Sequence, residues 1–235
     1  METELWQACL DGKVEEVGKL LQDSQININR IGSSKRIPFY IACEKGHIEV
    51  VKLLLNDNRV DINKVKNNGV TPFFIACRYR HLEIVKLLLN DQRVDITKED
   101  RDGWTPFSIA CYQGSIKIVK LLLNDQRVDI TKENKYGSTP FYFACQNGHI
   151  EIVKLLLNDE RVDINKADKY GYTPFHSVCQ KGHIEIVKLL LNDERVDINK
   201  TDGNGSTPFY TACRSGYLEI VKLLLNDERF DVNHR

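Results

Sequence analysis

Four cysteine–histidine pairs stand four residues apart in this sequence: Cys43 with His47, Cys77 with His81, Cys145 with His149 and Cys179 with His183. Thiolate and imidazole are good zinc ligands, so the spacing raises a metal ladder along a helix. The residue just before each histidine argues against it. Gly46, Gly148 and Gly182, with Arg80 in the remaining copy, break the helix there and turn the imidazole away from the sulfur. Ser115 and Tyr217 stand where two further histidines would be needed. The histidines are expected to hydrogen-bond the turn between two helices instead. Asp100-x-Asp102-Gly103 opens like a calcium loop but lacks the ligands that complete one. There is no nucleophile elbow and no glycine-rich phosphate loop between a strand and a helix. No catalytic residue, metal site or cofactor is predicted, and the chain is not expected to be an enzyme.

The cysteines matter more for their register. Cys9, Cys43, Cys77, Cys111, Cys145, Cys179 and Cys213 advance in steps of 34 residues, and so do Pro38, Pro72, Pro106, Pro140, Pro174 and Pro208. A fixed period of this size is the signature of stacked repeats. Seven is an odd number of thiols, and equivalent positions in stacked modules point the same way, so disulfides are not expected. Free cysteine packs as a small hydrophobe. That usage favours a reducing compartment, the cytoplasm or the nucleus. The Asn-x-Ser/Thr triplets at Asn199 and Asn204 are then chance matches.

The 235 residues carry 33 basic and 33 acidic side chains, so zero net charge disfavours nucleic acid as the general partner. The start METELWQACLDG lacks the basic and apolar regions of a signal peptide. No apolar run approaches the roughly 20 residues that span a bilayer.

Residues 133–165 illustrate one module. Thr139 and Pro140 form a helix start, with a hydroxyl for an orphan N–H and a ring suited to the first helical position. The first helix carries Phe141, Phe143, Ala144 and Cys145 and closes near Gly148. The second begins at Ile150 and is apolar at Ile152, Val153, Leu155, Leu156 and Leu157, too broadly for a one-sided surface helix. Glu151 and Lys154 keep a solvated face; Asn158 is expected to close the helix in the left-handed conformation, and Val162–Asn165 to run extended. One such module buries too little to offset the ordering of its own chain, so its neighbours must supply burial.

The recurring pattern Gly-x-Thr-Pro-Phe-x-x-Ala-Cys-x-x-Gly-His-x-x-x-Val-x-x-Leu-Leu, followed by Val-Asp-Ile-Asn, resembles the ankyrin repeat. The resemblance implies an all-α solenoid of stacked helix-turn-helix units joined by β-hairpin-like turns. It is expected to be a single domain over 1–235, with an N-terminal cap at 1–30 and repeats at about 31–64, 65–98, 99–132, 133–166, 167–200 and 201–235. The period is one residue longer than usual in the family; the extra residue lies in Asn-Asp-x-Arg after the second helix. Only His176 keeps the histidine of the family's Thr-Pro-Leu-His. Arg80 and Lys35 replace turn glycines and are expected to be strained or to shift the turn. The last unit ends as an internal one does, which leads us to expect that the array continues or that this face meets another molecule, a second copy included.

Ankyrin repeats bind partners through turn tips and inner helices that line a concave groove. The slots corresponding to these are where the copies differ most. They hold Arg78, Tyr79, Arg101, Trp104, Tyr112, Lys135, Tyr136, Lys169, Tyr170, Tyr172, Lys181 and Arg214. Large aromatics and arginine are enriched at binding hot spots. Among the slots that vary, six are basic and one, Asp102, is acidic. The resemblance and this content predict a non-catalytic protein-binding module, with an acidic segment as partner. Three alternatives are an adaptor segment of a longer protein, a nucleic-acid binder using the same basic and aromatic slots, and an engineered consensus-like scaffold.

Overall fold

The computed structural model describes residues 3–32 and 35–231. Among them the chain forms fourteen helices and no strand. The first helices of the pairs are α1 (Glu4–Asp11), α3 (Pro38–Lys45), α5 (Pro72–Arg78), α7 (Pro106–Tyr112), α9 (Pro140–Gln146), α11 (Pro174–Lys181) and α13 (Pro208–Ser215). The second helices are α2 (Val14–Leu21), α4 (Ile48–Leu55), α6 (Leu82–Leu89), α8 (Ile116–Leu123), α10 (Ile150–Leu157), α12 (Ile184–Leu191) and α14 (Leu218–Leu225).

Threonine and proline start the first helices as their chemistry dictates. The hydroxyls of Thr71, Thr139 and Thr207 accept from the backbone N–H groups of Phe74, Tyr142 and Tyr210 at 3.1–3.2 Å. Ile37 replaces threonine ahead of α3, which has no side-chain cap. Strain or a shifted turn is expected at Arg80 and Lys35, and both stand in the left-handed conformation, at φ 63° and 58°. For a residue with a Cβ this costs about 1–2 kcal/mol.

Two local expectations are corrected. Asn158 remains right-handed (φ −85°), because the following Asp159 N–H closes the helix on Leu156 O at 3.1 Å. Residues 162–165 are not extended. Asp163 builds a turn there, accepting from Asn165 N at 2.9 Å through Oδ1 and from Lys166 N through its carbonyl.

The chain divides into two compact units, Met1–Ala110 with Lys120–Val128, and Cys111–Val119 with Asp129–Arg235. In the first unit α1, α3 and α5 pack side by side, with α2, α4 and α6 as a second row beneath them. In the second unit α9, α11 and α13 form one row and α10, α12 and α14 the other. Phe39 and Phe73 in one unit, and Phe141 and Phe175 in the other, are each about 1% exposed. The leucines of the second helices join this core: Leu54 and Leu88 in the first unit, Leu156 and Leu190 in the second, are buried.

Polar contacts join neighbouring pairs at three places within these units. The imidazoles reach back to the preceding first helix: His47 Nε2 to Leu10 O, His81 to Glu44 O, His149 to Tyr112 O and His183 to Gln146 O, at 2.8–3.0 Å. They lie over the preceding glycine so closely that a Cβ on Gly148 would stand 2.8 Å from the His183 ring, and this glycine is at φ +74° besides. Arginines from the Asp-x-Arg loops donate to the last carbonyls of the preceding second helix: Arg59 to Leu21 O, Arg93 to Leu55 O, Arg127 to Leu89 O, Arg195 to Leu157 O and Arg229 to Leu191 O. Asparagine amides supply the third contact, to which we return below.

The cysteines pack as expected, with one exception. Cys9, Cys43, Cys77, Cys111, Cys145 and Cys179 are buried and Cys213 is exposed. Burial pushes the Cys9 thiol up to about 12, and the other five buried thiols upward as well. The reason for the exception is packing: a later first helix would cover that side of α13, as α13 covers α11, and none lies among the described residues.

Candidate protein-binding surface

The turn tips between pairs are hairpin-like without forming strands. In the tip at 168–172, Asp168 N–H donates to Tyr172 O at 2.9 Å and Gly171 N–H to Asp168 O at 3.0 Å. The Asp168 carboxylate accepts from the N–H groups of Tyr170 and Tyr172 at 2.9 and 3.0 Å, tying the loop from inside. Asn134 does the same for Tyr136 and Ser138, and Asp202 for Asn204 and Ser206. Adjacent tips are also bonded to each other: Lys169 N–H donates to Tyr136 O at 2.9 Å and Gly203 N–H to Tyr170 O at 2.8 Å. In the first unit Arg101 N–H donates to Asn68 O at 2.8 Å.

This ladder brings three of the expected residues together. Lys169 Nζ sits 4.3 Å from the Tyr136 ring centroid and 5.0 Å from that of Tyr170. A cation against an aromatic face at an exposed site is worth about 0.5–1 kcal/mol. Both rings are open to solvent, Tyr136 at 44% and Tyr170 at 60%. Lys135 is exposed on the tip of Tyr136, and Lys181 and Arg214 are exposed at the ends of α11 and α13. Tyr172 is half-buried, its ring 5.4 Å from that of His176. Burial and the Asp202 carboxylate push its hydroxyl up, while Arg214 pulls the other way. Tyr112 is exposed and meets Phe143 edge-on at 6.1 Å.

The first unit holds the other four. Arg78 and Tyr79 lie exposed at the end of α5, with Tyr79 stacked on His81 at 6.3 Å. Arg101 is exposed on its tip and Trp104 is half-buried. Not every variable slot faces outward: Val70 and Ser138, one residue after the turn glycine, are buried.

Sequence reasoning missed the aspartates of the tips. Asp100, Asp168 and Asp202 each stand at the start of a tip and accept from its backbone N–H groups. They were legible as an Asp-x-x-Gly signal at 100, 168 and 202, with Asn134 in the corresponding slot of the intervening copy. Their Oδ1 atoms are engaged by backbone N–H groups, while Oδ2 of Asp202 is buried without a hydrogen-bond partner among the described residues. Among the described residues no group of three histidine, cysteine or acidic side chains is placed to hold a metal ion. Nor is any described helix long and apolar enough to cross a membrane.

His176 adds a further familiar element. Thr173 Oγ1 accepts from His176 N–H, and Thr173 N–H donates to His176 Nδ1, both at 3.2 Å, closing a reciprocal cap. The family model "Ankyrin repeats (3 copies)" matches residues 5–100, 92–168 and 160–235. The chain belongs to the ankyrin-repeat family. No curated protein matches it. Ankyrin repeats are in general protein–protein interaction modules, and they typically carry no catalytic machinery of their own. Their stacked units present extended surfaces on which partners dock.

Proposed function

We propose that this ankyrin-repeat chain binds an acidic segment of a partner protein through its turn tips and the exposed ends of its first helices. The arrangement that carries the reading is Lys169 held between two solvent-open tyrosines, Tyr136 and Tyr170. A tyrosine offers large contact area and a hydroxyl while losing little rotamer freedom. The lysine supplies a cation whose stem is already ordered, and Lys135, Lys181 and Arg214 extend the positive character within the same unit. Arg78, Tyr79, Arg101 and Trp104 offer the same chemistry in the first unit. An extended acidic peptide would meet both the cations and the aromatic faces. The free thiols fit a cytoplasmic or nuclear setting.

A displayed random-peptide library panned on the wild-type chain tests this reading. Sequences rich in aspartate and glutamate should be enriched. Their binding should be lost in a Tyr136→Ala/Lys169→Glu/Tyr170→Ala variant whose far-UV dichroism and melting are retained. Enrichment without acidic character, or equal binding by the variant, overturns it.

A further inference from the structure

Asparagine amides clamp successive loops in four places. Asn29, Asn63, Asn165 and Asn199 donate through Nδ2 to the carbonyls of Arg59, Arg93, Arg195 and Arg229 at 2.6–2.7 Å. Through Oδ1 they accept from the N–H groups of Asp61, Asp95, Asp197 and Asp231 at 2.8–3.2 Å. Each carboxamide thus pairs with a peptide edge as a neighbouring strand would, one donor to a C=O and one acceptor to an N–H.

Threonine breaks the series at positions 97 and 131, and Thr97 bonds its own loop through Asp95 Oδ1. Thr131 turns home, its hydroxyl donating to Asp129 Oδ1 at 2.7 Å and its N–H to the same oxygen at 2.9 Å. A hydroxyl is too short, and has too few polar atoms, to span the edge formed by Arg161 C=O and Asp163 N–H. At this place the structure holds a cavity of about 420 Å³, lined by Thr131, Arg161, Asp163 and Lys166 with Phe141 and Ile130 as apolar walls. The ion pair of Lys166 with Glu133, at 3.1 Å, borders it. The cavity thus lies at the place that corresponds to where Asn29, Asn63, Asn165 and Asn199 set their amides in four other copies.

We propose that this cavity binds a primary carboxamide, supplied by an asparagine side chain of an extended partner segment. The occupant is identified by the four internal cases, in which the same donor–acceptor edge is matched by asparagine. None of these cavity residues belongs to the tip surface proposed above, so the two readings stand or fall separately.

The test uses the full chain and N-acetyl-asparagine N-methylamide as probe, with amide chemical shifts as readout. The backbone N–H of Asp163 should shift saturably in the wild type. N-acetyl-alanine N-methylamide, which has no primary carboxamide, should give a response weaker by roughly tenfold, the worth of about 1.4 kcal/mol of lost pairing. In Thr131→Asn the introduced amide should fill the slot, abolish the response and raise the melting temperature. Equal responses to the two probes, an unchanged response in Thr131→Asn, or a lowered melting temperature of that variant would each overturn the proposal.

Discussion

Arg195 donates to the carbonyl of Leu157, 38 residues earlier, at 2.8 Å while its guanidinium also grips Asp193 two residues before it. One planar fork thus caps the preceding second helix and locks its own loop. Arg195→Ala should lower stability by about 1 kcal/mol. Arg195→Lys should recover little of this, because a single ammonium cannot hold both partners in the fork geometry. Urea denaturation of the three proteins decides it; full rescue by lysine would show that charge alone suffices.

The same loops set the acid limit of the fold. Hydrogen bonds from the arginine two residues on hold Asp57, Asp91, Asp125, Asp159, Asp193 and Asp227 below the ordinary carboxylate range. A depressed folded value means stability that is present above about pH 4 and is lost as pH falls through the folded values. Asp193→Asn should therefore cost stability at pH 7 and lose less than the wild type on going to pH 3. Denaturation curves at the two pH values check this.

His176 titrates at higher pH. Burial lowers it, against the opposing pull of Ser206 O, to which Nε2–H donates at 3.0 Å. With Thr173 N–H donating to Nδ1, the ring is the neutral tautomer. A histidine whose folded value is depressed stabilises fully above its unfolded value, near 6.5, and the contribution falls as pH drops below it. Melting temperature should decline as pH falls below about 6.5 in the wild type, and more shallowly in His176→Asn.

Gly148 and Gly216 end equivalent helices at φ +74° and +78°, yet only Gly148 has an imidazole against it. Alanine at either site meets the left-handed cost of about 1–2 kcal/mol. Gly148→Ala must also displace His183 from its bond to Gln146 O, so it should melt at the lower temperature. Equal losses would mean that the ring moves aside freely.

Thiol reactivity should separate one cysteine from the other six. Only Cys213 is exposed, and burial disfavours the thiolate of the rest. A colorimetric thiol reagent should modify a single site rapidly in the native chain and all seven in denaturant. Cys213→Ser should abolish the rapid phase.

The period, the helix starts, the buried leucines, the burial of six of the seven cysteines and the strain at Arg80 and Lys35 were legible residue by residue. Each reflects a local rule or a repeat register: proline at the first helical position, glycine or its strained substitute at the last, apolar residues on every face that a neighbour covers. The same register pointed to the variable tip slots, two of which, Tyr136 and Tyr170, are open to solvent.

Contacts thirty or more residues apart could not be read this way. Asn165 looked like part of an extended segment, and its amide is bonded to Arg195 O. Local propensity states what a residue can do; which of its options is taken depends on groups that folding brings beside it. The order of the helices follows from the chain's own periodicity, whereas the Arg195 cap, the Lys169–tyrosine cluster and the cavity beside Thr131 arise only when neighbouring loops lie within hydrogen-bonding reach.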